Sequence, residues 1–205
     1  MRIITISREF GSGGRELGKR MADELGFAYF DREIITAIAQ KRGLDENYVE
    51  HALDNSVATT FSFTFRHSFA MPHVIQTPQT ELLLEQKKVI DSIAAAGKDC
   101  IIVGRNADVL LRQYDPMSIF VCADESAKVK RCMERAEDGE NLSEDDVVKN
   151  MRRIDKNRAR TREILSGSKW GDPAAYDLVI NTTGWDVKKL APAMAAFAKS
   201  WFENK

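Results

Sequence analysis

Apolar residues recur along this chain in two rhythms. Compact runs (Ile3, Ile4 and Ile6; Cys100 to Val103; Ile119 to Val121; Leu178 to Ile180) read as buried strands. The stretches between them carry apolar positions three and four apart and read as helices. The first such helix puts Leu17, Met21 and Leu25 on one stripe, and a short second strand follows it. A helix through Ile34, Ile35 and Ile38 is predicted to stop at Gly43, and Asp45 to cap the next, which carries Val49 and Leu53. Thr77 and Pro78 open a helix through Leu82, Leu83, Val89, Ile90 and Ile93 that ends near Gly97. A short helix through Val109 and Leu110 precedes Pro116, and Asp124 opens another with Val129, Cys132 and Met133. The last helix is expected from about Val187 to Phe202.

Five short strands separated by helices predict an α/β domain, a five-stranded parallel sheet with helices on both faces. Ligands of such sheets gather at the carboxyl ends of the strands. Gly11 to Arg15, Asp31, and the pair Gly104 and Arg105 all fall at such ends, although they are far apart in sequence. From about Ser56 to Gln76 the pattern breaks down. Phe61, Phe63 and Phe65 alternate as in a strand, while Phe61, Phe65 and Phe69 are spaced as on a helix, and a substrate-covering insert is expected there.

The turn between the first strand and helix holds Gly11, Ser12, Gly13 and Gly14. Glycines let the backbone approach a ligand closely, and the first amides of a helix lack intrahelical partners at the positive end of its dipole. Phosphate is the natural ligand of such a turn.

Composition narrows the class. The chain has 205 residues, enough for one domain that carries a small insert, and the apolar and charged fractions are those of an ordinary globular protein. No apolar run approaches the ~20 residues of a membrane helix, and Met1 and Arg2 lead straight into a strand, so a cytoplasmic protein without a membrane partner is expected. Cys100, Cys122 and Cys132 lack metal-type spacing and read as free thiols; His51, His67 and His73 are too scattered for a zinc site. A net charge of −1 argues against general nucleic-acid binding.

That net charge hides a local polarity. The chain is acidic from Glu134 to Asp146 and basic from Lys149 to Arg162, with Ser143 and Asp146 spaced as a capping box. Lys149, Arg152, Arg153, Lys156 and Arg160 share a face suited to solvent. Arg158 and Arg162 fall instead on the stripe of Val147, Met151, Ile154 and Leu165, and an inward charge needs a partner. Either an anionic ligand or an internal carboxylate would serve; the ligand is the expectation. Trp170, in a turn before the last strand, either stacks on a base or pins that turn to the core.

From Arg2 to Asp31 the chain resembles, without a gap, the opening of bacterial cytidylate kinases. Gly13 falls on the last loop glycine of that family, Gly14 on its phosphate-binding lysine and Glu16 on its magnesium-holding hydroxyl residue; a shift by one puts Arg15 on the lysine, and Arg8 offers a second cation at the front of the loop. The run Ile154, Asp155, Lys156, Asn157, Arg158, Ala159 looks like the family's lid segment. Gly104 and Arg105 resemble its Gly-Arg-Asp, with Asn106 in place of the aspartate. A family arginine falls on Ala37, leaving Arg32 nearby, and a lid arginine is replaced by Ile154.

The resemblance, closer to the divergent cytidylate-kinase-like group, implies a P-loop kinase fold with a substrate insert over about 44–76 and a lid over about 140–172. It implies a kinase that moves the terminal phosphoryl of ATP, with Mg2+, to a nucleoside monophosphate such as CMP or dCMP. Gly11, Ser12, Gly13, Gly14, Arg15 and Glu16 would then hold the donor, and Glu16 the metal. Asp31, Arg32, Arg105, Asp155 and Arg158 would bind the acceptor, with Asp155 on the sugar. Arg15, Arg158 and Arg162 would be catalytic. Two alternatives stay open: a kinase of another small metabolite, or a nucleotide-sensing protein whose loop, with neither lysine nor Ser/Thr where the P-loop pattern wants it, has lost catalysis.

Overall fold

The computed structural model describes residues 1–54, 78–135 and 143–205. The phenylalanines at 61, 63, 65 and 69 and most of the expected insert lie outside the described residues.

Five parallel strands form one sheet in the order β2, β3, β1, β4, β5. They are β1 (Ile3–Arg8), β2 (Ala28–Phe30), β3 (Cys100–Val103), β4 (Met117–Cys122) and β5 (Leu178–Asn181). In register, Ile6 lies beside Val103 on one side and Ile119 on the other. Alternation along β1 divides the core. Ile4 and Ile6 join Leu17 and Met21 of α1 (Gly14–Leu25) and Leu190 and Ala191 of α8 (Val187–Glu203). Ile3 faces the opposite layer, with Ile34, Ile35 and Ile38 of α2 (Arg32–Arg42), Val49 of α3 (Glu46–Asp54) and Ile90 of α4 (Pro78–Ala95). Near-continuous apolar strands are what a sheet covered on both faces requires.

Local signals place the ends of these elements. Gly43 closes α2 at φ 64°. The Asp45 carboxylate accepts hydrogen bonds from the amides of Asn47 and Tyr48 at 2.9 and 3.1 Å. After β3 come the single-turn helix α5 (Ala107–Leu110) and, beyond β4, α6 (Glu125–Met133). The long helix α7 (Glu144–Ser166) starts where the spacing of Ser143 and Asp146 predicts: Ser143 Oγ accepts from the Asp146 amide at 3.2 Å and donates to its carboxylate at 2.6 Å. Helices α6 and α7 pack through Val129, Val147 and Met151, with Phe10 of the glycine turn against them.

Candidate active site

The strand order reverses direction at β1, whose chain neighbours in space, β3 and β4, lead away on opposite sides. Such a switch point opens a crevice beyond the carboxyl ends of the strands. The glycine loop enters it directly from β1. Leu17 N–H closes the first helical turn on Gly13 O at 2.9 Å, so the amides of Gly13, Gly14, Arg15 and Glu16 precede any intrahelical bond.

Side chains from three other elements hold this loop. Phe10 N–H donates to Asp155 of α7 at 2.8 Å. Ser12 is fully buried, and its hydroxyl donates to Glu9 O at 2.8 Å while its carbonyl accepts from Thr182 Oγ1 at 2.6 Å. The Glu9 carboxylate in turn accepts from Lys128 Nζ at 2.9 Å. Ser12 therefore shapes the loop through its side chain and turns no hydroxyl toward a ligand.

Arg8, the last residue of β1, is the centre of the site. Its side chain is only 10% exposed and its guanidinium lies 3.5 Å from the buried carboxylate of Asp31. Two glycines make its room. A Cβ on Gly14 would sit 2.6 Å from Arg8 Cβ, and one on Gly104 would run into the Arg8 guanidinium. Around it stand Arg15, ion-paired through Nε with the same Asp31; Arg158, whose guanidinium donates to Arg8 O at 3.1 Å and to Asp155 at 3.2 Å; and Arg105, 3.9 Å from Glu50. Burial first, and then the charge of Arg158, push the Arg8 pKa down to about 9; Asp31 opposes this and Arg105 and Arg15 add to it. The cation persists at neutral pH, but this is a site that gains by admitting an anion.

Two cavities meet at these arginines. The first, of about 350 Å3, lies over the loop glycines and is walled by Phe10, Arg131, Cys132 and Asn150. The second is bordered by Glu50, Arg105, Asn106, Asn157, Thr161 and Trp170. Arg8, Arg15 and Arg158 line both. Trp170 packs edge-on against Phe120, with ring centroids 5.1 Å apart, so it pins its turn to the core and borders the second cavity at once.

Some expected site residues go elsewhere. Arg162 is corrected: it is 2% exposed, ion-paired with Asp108, hydrogen-bonded from Nε to Ser168 Oγ at 2.9 Å, and stacked over Tyr176 at 5.0 Å. The internal carboxylate, rather than a ligand, is its partner, because α5 brings Asp108 under that stripe. Asp155 does not border the second cavity; its carboxylate fastens α7 to the loop amide of Phe10, and burial raises its pKa. Both oxygens of Glu16 are engaged, by Arg20 at 2.9 Å and by Arg135. Arg32 is exposed and pairs with Glu50 at 3.2 Å, reaching the second cavity only through that carboxylate. Arg8, which the sequence offers only as a second cation at the front of the loop, is instead a group on which both cavities meet. Its signal is a charge ending an otherwise uncharged strand.

Among the described residues no three His, Cys, Asp or Glu side chains gather as a metal cage. No helix among them is long and apolar enough to cross a membrane.

A glycine loop joining β1 to α1, in a five-stranded parallel sheet with arginines converging on two adjoining cavities, defines a P-loop kinase fold. Solved structures agree on the fold: shikimate kinase from Acinetobacter baumannii, in complex with shikimate, is similar with a TM-score of 0.55 at 12% identity, covering 98% of this chain and 94% of that one. An uncharacterized protein from Eubacterium ventriosum is similar with a TM-score of 0.69 at 25% identity, covering 98% and 99%. The model of the cytidylate kinase-like family matches residues 3–184, and the chain belongs to that family. By that membership it is a phosphotransferase of the kinase type. A cytidylate kinase of Saccharolobus islandicus is 24% identical over 203 residues, which span 98% of this chain and 93% of that protein.

Proposed function

We propose that the protein transfers the terminal phosphoryl group of ATP to a nucleoside monophosphate, with CMP or dCMP as the preferred acceptor. The observation that carries this reading is that Arg8, Arg15 and Arg158 border both cavities. A phosphoryl group in transit between a donor over the loop and an acceptor beside Arg105 would be held by guanidinium groups throughout. Guanidinium groups bordering the second cavity also favour an acceptor that itself carries phosphate, whose oxygens they can grip with paired donors.

Phosphoryl transfer needs little covalent help from protein; alignment and charge neutralisation carry it. The amides of Gly13 to Glu16 would cradle the donor phosphates, and Arg15 would exchange Asp31 for them. Arg105 and Arg158 would hold the acceptor phosphate, and Arg8, fixed between Gly14 and Gly104, would face the oxygens that gain charge. The bonds of Asp155 to Phe10 N–H and of Arg158 to Arg8 O dock α7, the lid helix, on the loop. Mg2+ would supply further neutralisation between the phosphates. Glu16, released from Arg20 and Arg135, would offer that ion a carboxylate, with ATP oxygens and water supplying the other ligands.

The missing lysine and hydroxyl of the loop favour a second reading, a nucleotide sensor without turnover. A coupled ADP-release assay with ATP and Mg2+ across the nucleoside monophosphates and their deoxy forms separates them. ADP release that is strongest with CMP or dCMP and collapses with chelator is the expected result. ATP binding without release for any acceptor would establish the sensor instead.

A further inference from the structure

Three consecutive residues at the carboxyl end of β3 hold left-handed backbone: Gly104 at φ 75°, Arg105 at φ 57° and Asn106 at φ 51°. Glycine adopts this freely and asparagine readily, but arginine does so only where its surroundings impose it. Backbone bonds supply part of the restraint: Gly104 N–H donates across the sheet to Ile6 O at 2.8 Å, and locally Ala107 N–H donates to Gly104 O at 3.1 Å and Leu110 N–H to Asn106 O at 3.0 Å. The carbonyl of Arg105 is served by a side chain: Gln86 Nε2 on α4 donates to it at 3.2 Å.

Gln86 is an odd occupant of its position. It is 3% exposed, and the residues one turn before and after it on α4, Leu82 and Ile90, are buried core. An apolar side chain would suit that stripe and escape the desolvation of an amide. What the amide accomplishes is to fix the peptide from which the Arg105 guanidinium, 9% exposed, enters the second cavity beside Arg8 and Arg158.

We infer that Gln86 is a positioning residue for the acceptor site, acting on the bound phosphate through the backbone of Arg105. The inference rests on the phosphotransfer reading above and deepens it. Gln86 touches no substrate; it sets where one of the acceptor's cationic partners can stand. A merely structural amide would instead weaken every ligand together with the fold.

The test is a double-mutant cycle read by equilibrium binding. CMP and ATP affinities are measured by calorimetry for the wild type, Gln86→Met, Arg105→Ala and the double variant, with melting temperatures alongside. Gln86→Met should weaken CMP about tenfold, leave ATP within about twofold, and add nothing to the loss in Arg105→Ala, because the pair acts as one unit. Additive losses, or a parallel fall in both affinities and in melting temperature, would overturn the role. Should Gln86→Met not fold, Gln86→Leu removes the donor at similar volume, and unchanged CMP affinity there is equally decisive against it. If the wild type binds neither CMP nor, with ADP filling the loop cavity, inorganic phosphate, the phosphotransfer reading falls and this role with it. Binding with additive losses removes the role alone.

Discussion

The guanidinium of Arg8 occupies the space that a side chain at Gly104 would fill. Two elements distant in sequence thus share one volume: a cation at the end of β1 and the absence of a Cβ at the end of β3. Because φ at Gly104 is also 75°, Gly104→Ala meets both a steric and a backbone penalty, the latter alone about 1–2 kcal/mol. Thermal unfolding should report that loss, and turnover should fall further than stability explains, since Arg8 must move.

Replacing Arg8 itself gives the opposite balance. The side chain is buried beside three other arginines, and only part of that repulsion is offset by Asp31. Arg8→Met should leave the melting temperature unchanged or raise it, as removal of strained functional groups commonly does. Phosphoryl transfer should drop by about 10²–10³, the usual effect of losing a preorganised charge-stabilising donor. A stable variant with wild-type turnover would remove Arg8 from the site.

Arg162 and Asp108 make a prediction of the other kind. Both side chains are nearly sealed from solvent, at 3% and 6% exposed, and breaking such a pair strands a charge. Asp108→Asn or Arg162→Met alone should cost about 3–5 kcal/mol by chemical denaturation, and the double replacement by apolar residues distinctly less than their sum. Affinity for CMP in whichever variants remain folded should be little changed, because neither residue borders the two cavities.

Glu85 ties α2 to α4. Its carboxylate takes Lys41 and Lys88 at 2.8 Å each and Arg42 at 3.3 Å, and the hydrogen bonds from Lys41 and Lys88 bring its pKa down to about 2. A carboxylate depressed in the folded state contributes stability above its ordinary pKa of 4.5, and that contribution is lost as pH falls toward 2. Denaturation midpoints measured across that window should decline more steeply in the wild type than in Glu85→Gln. Parallel curves would contradict the assignment.

Much of this was legible in the residues because its causes are local. The stripe of Leu17 and Met21, the stop at Gly43 and the cap at Ser143 each depend on neighbours within a turn or two, and the structure keeps all three. The parallel sheet follows from apolar runs separated by helices. What stayed hidden depends on pairs far apart in the chain. Nothing near Arg162 announces Asp108, 54 residues earlier. Asp155 was expected at a ligand, yet it meets a backbone amide at Phe10, and backbone amides leave no mark in a sequence. The left-handed run after β3 is only partly visible: Gly104 and Asn106 are residue types that take up positive φ, but Arg105 between them is not, and the amide that serves their turn comes from α4.

The most direct measurement is the affinity of Arg158→Ala for ATP and for CMP, each titrated separately by calorimetry against the wild type. Since Arg158 borders both cavities, both affinities should fall, each by about tenfold or more, which corresponds to about 1.4 kcal/mol or more per ligand. A loss confined to one ligand, or to neither, would contradict the claim that one set of arginines serves donor and acceptor together.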